Sequence, residues 1–181
     1  MKNNIFSVFI GILLISCANP VPRNPIVIKS GSYLEESVSL NKFLIESEEV
    51  SFKEFIKKDS INSYIASPLG FWYTYTSKNN TSYFPKFGDK VEFTYEVLDL
   101  NNTIIYSFEE IGKKSYVIDQ QEIIEGLRDG LKIMNEGDEV TFLFPSHKLF
   151  GYVGDKNKID INQPLIYKVQ LIKINKKNES N

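Results

Sequence analysis

Gln121-Glu122-Ile123-Ile124-Glu125-Gly126-Leu127-Arg128-Asp129-Gly130-Leu131, followed by Met134-Asn135-Glu136-Gly137-Asp138, is the stretch whose reading decides the fold. Ile123, Leu127, Leu131 and Met134 recur at helical spacing and predict one apolar face. Gly126 and Gly130 fall on that same face, although each glycine costs about 1 kcal/mol of helix stability relative to alanine. A helix pressed closely onto a sheet justifies that cost. Asp119 and Glu122 have the spacing of a capping box and predict a helix start there. Glu136-Gly137-Asp138 reads as the turn that follows.

On both sides of this segment the apolar period is two. Val91, Phe93, Tyr95 and Val97 alternate with Glu92, Thr94 and Glu96, the pattern of a half-buried strand. Asn101-Asn102 turns it, Ile104–Ser107 returns, and Ser115–Ile118 is a short strand. Gly70–Thr76 is aromatic-rich and strand-like. Beyond the helix, Val140, Phe142 and Phe144 alternate, Pro145–Pro164 is a long irregular segment, and Leu165–Ile174 closes as a strand with Tyr167, Val169 and Leu171 on one face. Long loops of this kind are often functional. The fold class is therefore α+β, mainly antiparallel strands plus one short helix over residues 68–175.

Upstream, residues 34–67 read as a helical extension outside that domain. Leu40, Phe43 and Leu44 are spaced i, i+3, i+4, and Phe52, Phe55 and Ile56 repeat the spacing. A break near Ser47–Ser51 predicts two short helices, ended by Asp59-Ser60 and Ser67-Pro68. Residues 17–33 contain Asn19-Pro20-Val21-Pro22 and Ser30-Gly31-Ser32 and read as a tether. Residues 1–16 carry Lys2 and the apolar run Ile5–Ile15, which has the length of a secretory h-region and is too short for a bilayer span. Leu14-Ile15-Ser16-Cys17 resembles the bacterial lipobox, in which the cysteine is acylated. Cys17 is the only cysteine, so no internal disulfide exists and the residue reads as a lipidation point. Residues 176–181 form a polar tail.

Composition narrows the chemistry. A net charge of -2 leaves no basic excess to neutralise phosphates, which argues against nucleic-acid binding. One histidine leaves no His-based metal cluster and little room for a catalytic triad, and His147 reads as an ordinary surface or packing residue. No glycine-rich loop precedes a helix in phosphate-binding fashion. No cofactor or metal site is expected. What remains is a set of aromatic and aliphatic side chains on a cupped sheet under a long loop. They are either core alone or an apolar pocket. Such a pocket has a chemistry available to it: rotation about X-Pro faces a barrier of roughly 18–20 kcal/mol, the twisted amide loses its resonance, and a dry site favours it.

The motif set separates these two. The helix segment, with Val91-Glu92-Phe93-Thr94-Tyr95, Phe144-Pro145-Ser146-His147-Lys148-Leu149-Phe150-Gly151-Tyr152 and Pro164-Leu165-Ile166-Tyr167-Lys168-Val169-Gln170-Leu171, resembles FKBP-type peptidyl-prolyl isomerases in order over nearly all of 84–174. With the lipobox and the N-terminal helices, the chain is similar to the gliding-motility-associated isomerase lipoproteins of Bacteroidetes. The resemblance implies an FKBP-like antiparallel half-barrel around the short helix. It implies a site of Tyr95, Ile105, Tyr106, Ile123, Ile124, Leu127, Phe150 and Tyr167, with Ile159 and Ile161 from a loop flap and the Ile124 N–H meeting a substrate carbonyl. The family's strand aspartate is Tyr106 here, its floor tryptophan is Leu127, its loop tyrosine is Phe150, and its flap Pro-Pro is Asp160-Ile161. Each departure keeps the pocket apolar and removes a polar handle.

The implied partners are proline-containing polypeptides, and a membrane held through the lipid anchor on the periplasmic side of the cell envelope. A homodimer through the N-terminal helices is left open. The alternative reading is a non-catalytic chaperone or assembly factor on the same fold.

Overall fold

The computed structural model describes residues 30–79 and 81–177. The leader, Cys17 and the tether up to residue 29 lie outside the described residues, as do 178–181 of the tail. The chain divides into two compact units, 1–36 and 37–181. The predicted boundary at 67/68 thus falls inside the second unit. In chain order the elements are α1 (Ser30–Lys58), β1 (Ile65–Ser67), β2 (Phe71–Ser77), β3 (Lys90–Leu98), β4 (Ile104–Tyr106), α2 (Phe108–Ile111), β5 (Lys114–Val117), α3 (Glu125–Leu131), β6 (Glu139–Phe144) and β7 (Leu165–Asn175). Two 3-10 turns, Ser146–Lys148 and Gly151–Val153, interrupt the long segment between β6 and β7.

All strand pairs are antiparallel, in the order β1-β2-β6-β7-β3-β4. The far side of β3 is shared. β5 pairs with it from Lys90 to Phe93, and β4 at Val97 and Leu98. Between them α2 carries the chain away, so neither partner reaches Thr94, Tyr95 or Glu96. That gap in the sheet edge positions the site described below.

The period-two pattern sorts side chains to two faces. One face carries Val91, Phe93, Val140, Phe142, Phe144, Tyr167, Val169 and Leu171, all nearly inaccessible to water, and α3 packs on it through Leu127 and Leu131. The glycine expectation holds here. A methyl group on Gly126 would lie 3.0 Å from the Phe144 ring, and one on Gly130 would lie 3.0 Å from the Phe142 ring. Both rings are fully buried and stacked on each other at 5.0 Å, so neither has room to yield. Gly130→Ala is therefore expected to destabilise the protein. Alanine's propensity gain of about 1 kcal/mol is outweighed by overpacking of roughly 1–3 kcal/mol. A lower urea midpoint checks this; a raised midpoint contradicts the close-packing account.

The other face of the sheet has its own small core. Leu98, Leu143 and Ile166 meet Phe52 of α1, with Phe55, Ile56 and Trp72 at the margin. The Trp72 indole N–H donates to Glu49 at 3.0 Å.

Two expectations from the sequence need correction. α1 is one helix, without a break at Ser47–Ser51. Ser47 and Ser51 turn their hydroxyls back onto the Leu44 and Ser47 carbonyls, at 2.8 and 3.0 Å, and so remain helical. The Asp119/Glu122 capping box does not form. Asp119 has a left-handed φ of 56° and its carboxylate pairs with Lys132 at 2.7 Å, while α3 starts six residues later, behind Ile124. Two short elements, β1 and α2, were not anticipated. The signal for α2 was present in Ser107-Phe108-Glu109-Glu110, because Ser107 accepts a hydrogen bond from the Glu110 N–H at 3.3 Å as an N-cap should.

Candidate active site

The gap opposite Tyr95 opens into a cavity of about 470 Å³ on the α3 side of the sheet. β3 contributes Tyr95 and Val97, β7 contributes Tyr167, and the N-cap of α3 contributes Ile124. The loop after β6 supplies Phe150, Asp155 and Ile159, and the interrupted edge supplies Tyr106, Glu110, Ile111 and Lys114. Tyr95 stacks on Tyr167 at 5.5 Å with only 16° between the rings, and Phe93 stacks on Tyr95 from below at 5.9 Å. Phe144 meets Tyr167 edge-on at 5.5 Å. The aromatic wall is thus continuous with the core and has little freedom to move.

Of the ten pocket and flap residues implied by the sequence, Tyr95, Tyr106, Ile124, Phe150, Ile159 and Tyr167 line this one cavity. Leu127 lies fully buried in the core, and Ile105 and Ile123 are partly buried against it. Ile161 points away from any core and is 63% exposed. Cys17 lies outside the described residues. His147 is exposed and does not line the cavity.

Val97, Glu110, Ile111, Lys114 and Asp155 were missed. Asp155 sits in Gly154-Asp155-Lys156-Asn157, which reads only as a turn, and its partner Tyr106 is 49 residues away. No local pattern announces such a pair.

That pair closes the rim. The Tyr106 hydroxyl donates a short hydrogen bond to Asp155, and the Asn157 side-chain amide donates to the same hydroxyl at 3.0 Å. Lys158 pairs with Glu110 at 2.6 Å, donates to the Ile105 carbonyl at 3.2 Å, and lies 4.5 Å from the Tyr106 ring centroid. Partial burial alone would raise the Asp155 pKa. The hydrogen bonds from Tyr106 and from the backbone N–H groups of Ile159 and Asn157 outweigh it and hold the carboxyl below its ordinary 3.8. The same bond to Asp155 pushes the Tyr106 phenol up, and burial pushes up Tyr95 and, much further, Tyr167.

The loop bearing Phe150 is fixed at its start. Lys148 reaches Glu125 at 2.6 Å and Asp129 at 3.1 Å on α3. The cavity therefore has a stiff aromatic wall, an anchored loop, and a polar latch at its mouth. It holds no histidine, and its two carboxylates are already engaged, Asp155 by Tyr106 and Glu110 by Lys158. Another cavity, of about 400 Å³, is lined by Thr76, Thr94, Thr141, Glu139 and Lys168. Phe108, Val140 and Val169 also line it, and it contains no stacked aromatic pair.

Comparison with known proteins places this geometry. Residues 81–172, just over half of the chain, match the model of the FKBP-type peptidyl-prolyl cis-trans isomerase family. A probable FKBP-type peptidyl-prolyl cis-trans isomerase, FkpA, of Neisseria meningitidis serogroup B is 29% identical over 129 residues. That match covers 71% of this chain but only 46% of the relative. Among solved structures, a peptidyl-prolyl cis-trans isomerase from Pseudomonas syringae pv. tomato aligns with a TM-score of 0.59 at 19% identity, over 75% of this chain and 96% of that one. The three FKBP domains of wheat FKBP73 align with a TM-score of 0.57 at 17% identity, over 64% of this chain and 52% of theirs. At these identities the two structures speak for the fold alone.

Proposed function

The chain belongs to the FKBP-type peptidyl-prolyl cis-trans isomerase family, and on that premise we propose that it interconverts cis and trans X-Pro bonds in the cavity between Tyr95, Tyr167, Ile124 and Phe150. The observation that carries this is the stacked aromatic wall opened by the break in the sheet edge. A planar amide is more polar than its twisted transition state, so transfer into a dry aromatic cavity lowers the barrier without nucleophile or cofactor. The proline ring would lie against Tyr95, Tyr167 and Phe150. The Ile124 N–H, which has no hydrogen-bond partner among the described residues, would hold the carbonyl of the residue beside it.

The full chain, added to a peptide with a single X-Pro bond, is expected to raise the relaxation rate in proportion to its concentration. An unchanged rate would favour the non-catalytic chaperone reading. Phe150, which has no hydroxyl to offer a substrate carbonyl, is the residue that speaks for that second reading.

The catalysed rate is expected to stay flat from pH 6 to 9. Asp155 is held below 3.8 and so remains charged throughout. The cavity tyrosines are pushed above their ordinary 10 and so remain protonated. A bell-shaped profile would point to acid–base catalysis instead.

The cellular setting is part of the same proposal. The lipobox Leu14–Cys17, the apolar run before it and the tether behind it support a lipid-anchored envelope protein facing the periplasm. Its clients would then be proline-containing envelope or secreted polypeptides, and the resemblance to motility-associated lipoproteins suggests gliding machinery among them. Cys17→Ala is expected to abolish incorporation of labelled fatty acid into the protein in bacterial cells. Undiminished labelling would overturn the anchor.

A further inference from the structure

A second concave surface adjoins the proposed prolyl site. It is a groove of about 470 Å³ between α1 and the loop that follows β6. Leu44 and Ile45 form the helix side, Leu149, Phe150 and Tyr152 form the loop side, and Asn41 sits at one end. Phe150 lines both this groove and the prolyl cavity, so the two adjoin at that residue. The apolar surface is open to solvent: Ile45 is 49% exposed and Tyr152 is 82% exposed.

The two walls are tied together from beneath. Glu48 of α1 is 5% exposed, and its two carboxylate oxygens accept hydrogen bonds from the Ser146 N–H at 2.8 Å and the Ser146 hydroxyl at 2.5 Å. A carboxylate so far removed from water is tolerated only when its oxygens are satisfied in this way. One turn further on, Phe52 is locked into the outer core. The groove is therefore a fixed feature of α1 and the loop, present before any ligand arrives.

We propose that this groove is an extended client subsite, which takes the apolar residues flanking the isomerised proline on one side of the chain. The inference rests on the prolyl site being the one assigned above. Its occupant is an extended polypeptide segment, because the groove adjoins the prolyl cavity at Phe150 and a chain held in that cavity can leave it past this residue. Apolar side chains would pack on Ile45, Leu44 and Tyr152, and Asn41 offers a side-chain amide to a peptide backbone. The N-terminal helix would thus supply part of substrate recognition, and clients with apolar residues near proline would be preferred over those with glycine or serine there.

The test compares short and extended substrates on the full chain. One series is a tetrapeptide with one X-Pro bond. Two others extend it by three residues, apolar in one set and Gly/Ser in the other, at either end in turn. The apolar extension at one end is expected to raise kcat/KM by about tenfold over its Gly/Ser counterpart, a discrimination of the size that a hydrophobic pocket gives. Ile45→Asp is expected to bring that ratio to about one, and Tyr152→Ser to reduce it. Val50→Ser, at a 56% exposed position outside the groove, is expected to leave the ratio unchanged.

Turnover of the tetrapeptide with no gain from apolar extension at either end would overturn the subsite while leaving the prolyl site intact. No turnover of any series would instead remove the reading on which the subsite rests. A drop in molecular mass from dimer to monomer in Ile45→Asp, with the ratio unmoved, would assign this face to a second copy of the chain and overturn the proposal.

Discussion

In an Ile124→Asn variant, isomerisation of an X-Pro peptide is expected to fall about 30-fold, while the thermal midpoint holds level or rises. The two halves of this expectation have separate causes. Ile124 lines the cavity, and an amide side chain there brings water and a permanent dipole against the twisted peptide bond. A penalty of about 2 kcal/mol for an imperfectly paired polar group corresponds to that loss in rate. Ile124 is also the N-cap of α3, with an extended ψ of 134° and no side-chain cap hydrogen bond. Asparagine is among the best N-cap residues, so folding gains a cap where activity loses a dry wall. Rate and Tm measured on the same preparation check the pair. Retained activity in a well-folded variant would show that the cavity does not work by exclusion of water.

Phe52→Ala is expected to cost roughly 3–5 kcal/mol of stability, the range for removing a fully buried phenylalanine. Phe52 is 2% exposed and closes a core with Leu98, Leu143 and Ile166, each 2% exposed or less. The loss would reach β3, β6 and β7, the strands from which those three residues come. Phe43→Ala serves as the comparison, since Phe43 is 65% exposed on the same helix and surface truncations usually stay within about 0.5 kcal/mol. Urea unfolding of both variants decides the matter. Equal midpoints would mean that α1 is an appendage; a large difference places its second half within the folded unit.

The sequence exposed the parts of this architecture whose logic is local. β3, β6 and β7 alternate because one face of each is buried against α3, so period two survives in the residue string. Gly126 and Gly130 betray close packing because nothing else explains two glycines on the apolar face of a helix. The same reasoning failed where tertiary contacts override local preference. The serines at 47 and 51 look like a break but satisfy themselves within the helix. Asp119 looks like a cap but turns to Lys132. The triplets Leu40/Phe43/Leu44 and Phe52/Phe55/Ile56 share one helical spacing, yet Phe52 is core while Leu40 and Phe43 are exposed, because only the second half of α1 lies over the sheet.

The candidate site divides along the same line. Tyr95, Ile124, Phe150 and Tyr167 sit in motifs, and the fold brings them to the lining of one cavity. Leu127, where the resemblance implied a pocket floor, lies buried in the core on α3. The polar latch was not legible as a unit, since Tyr106 and Glu110 lie in one segment, Asp155 and Lys158 in another 48 to 49 residues away, and only the fold gathers them. Tyr106 stands where the resemblance implied an aspartate. Asp155 brings a carboxylate back to that corner from the opposite side of the mouth.

The most direct measurement is proton exchange spectroscopy of an X-Pro peptide with the isotope-labelled protein. It reports the cis/trans exchange rate and the residues that the peptide touches in one experiment. Exchange accelerated well beyond the uncatalysed rate is expected, with shifts concentrated at Tyr95, Ile124, Phe150 and Tyr167. Accelerated exchange with shifts centred elsewhere, or binding at this cavity with no acceleration, would contradict this reading of the cavity.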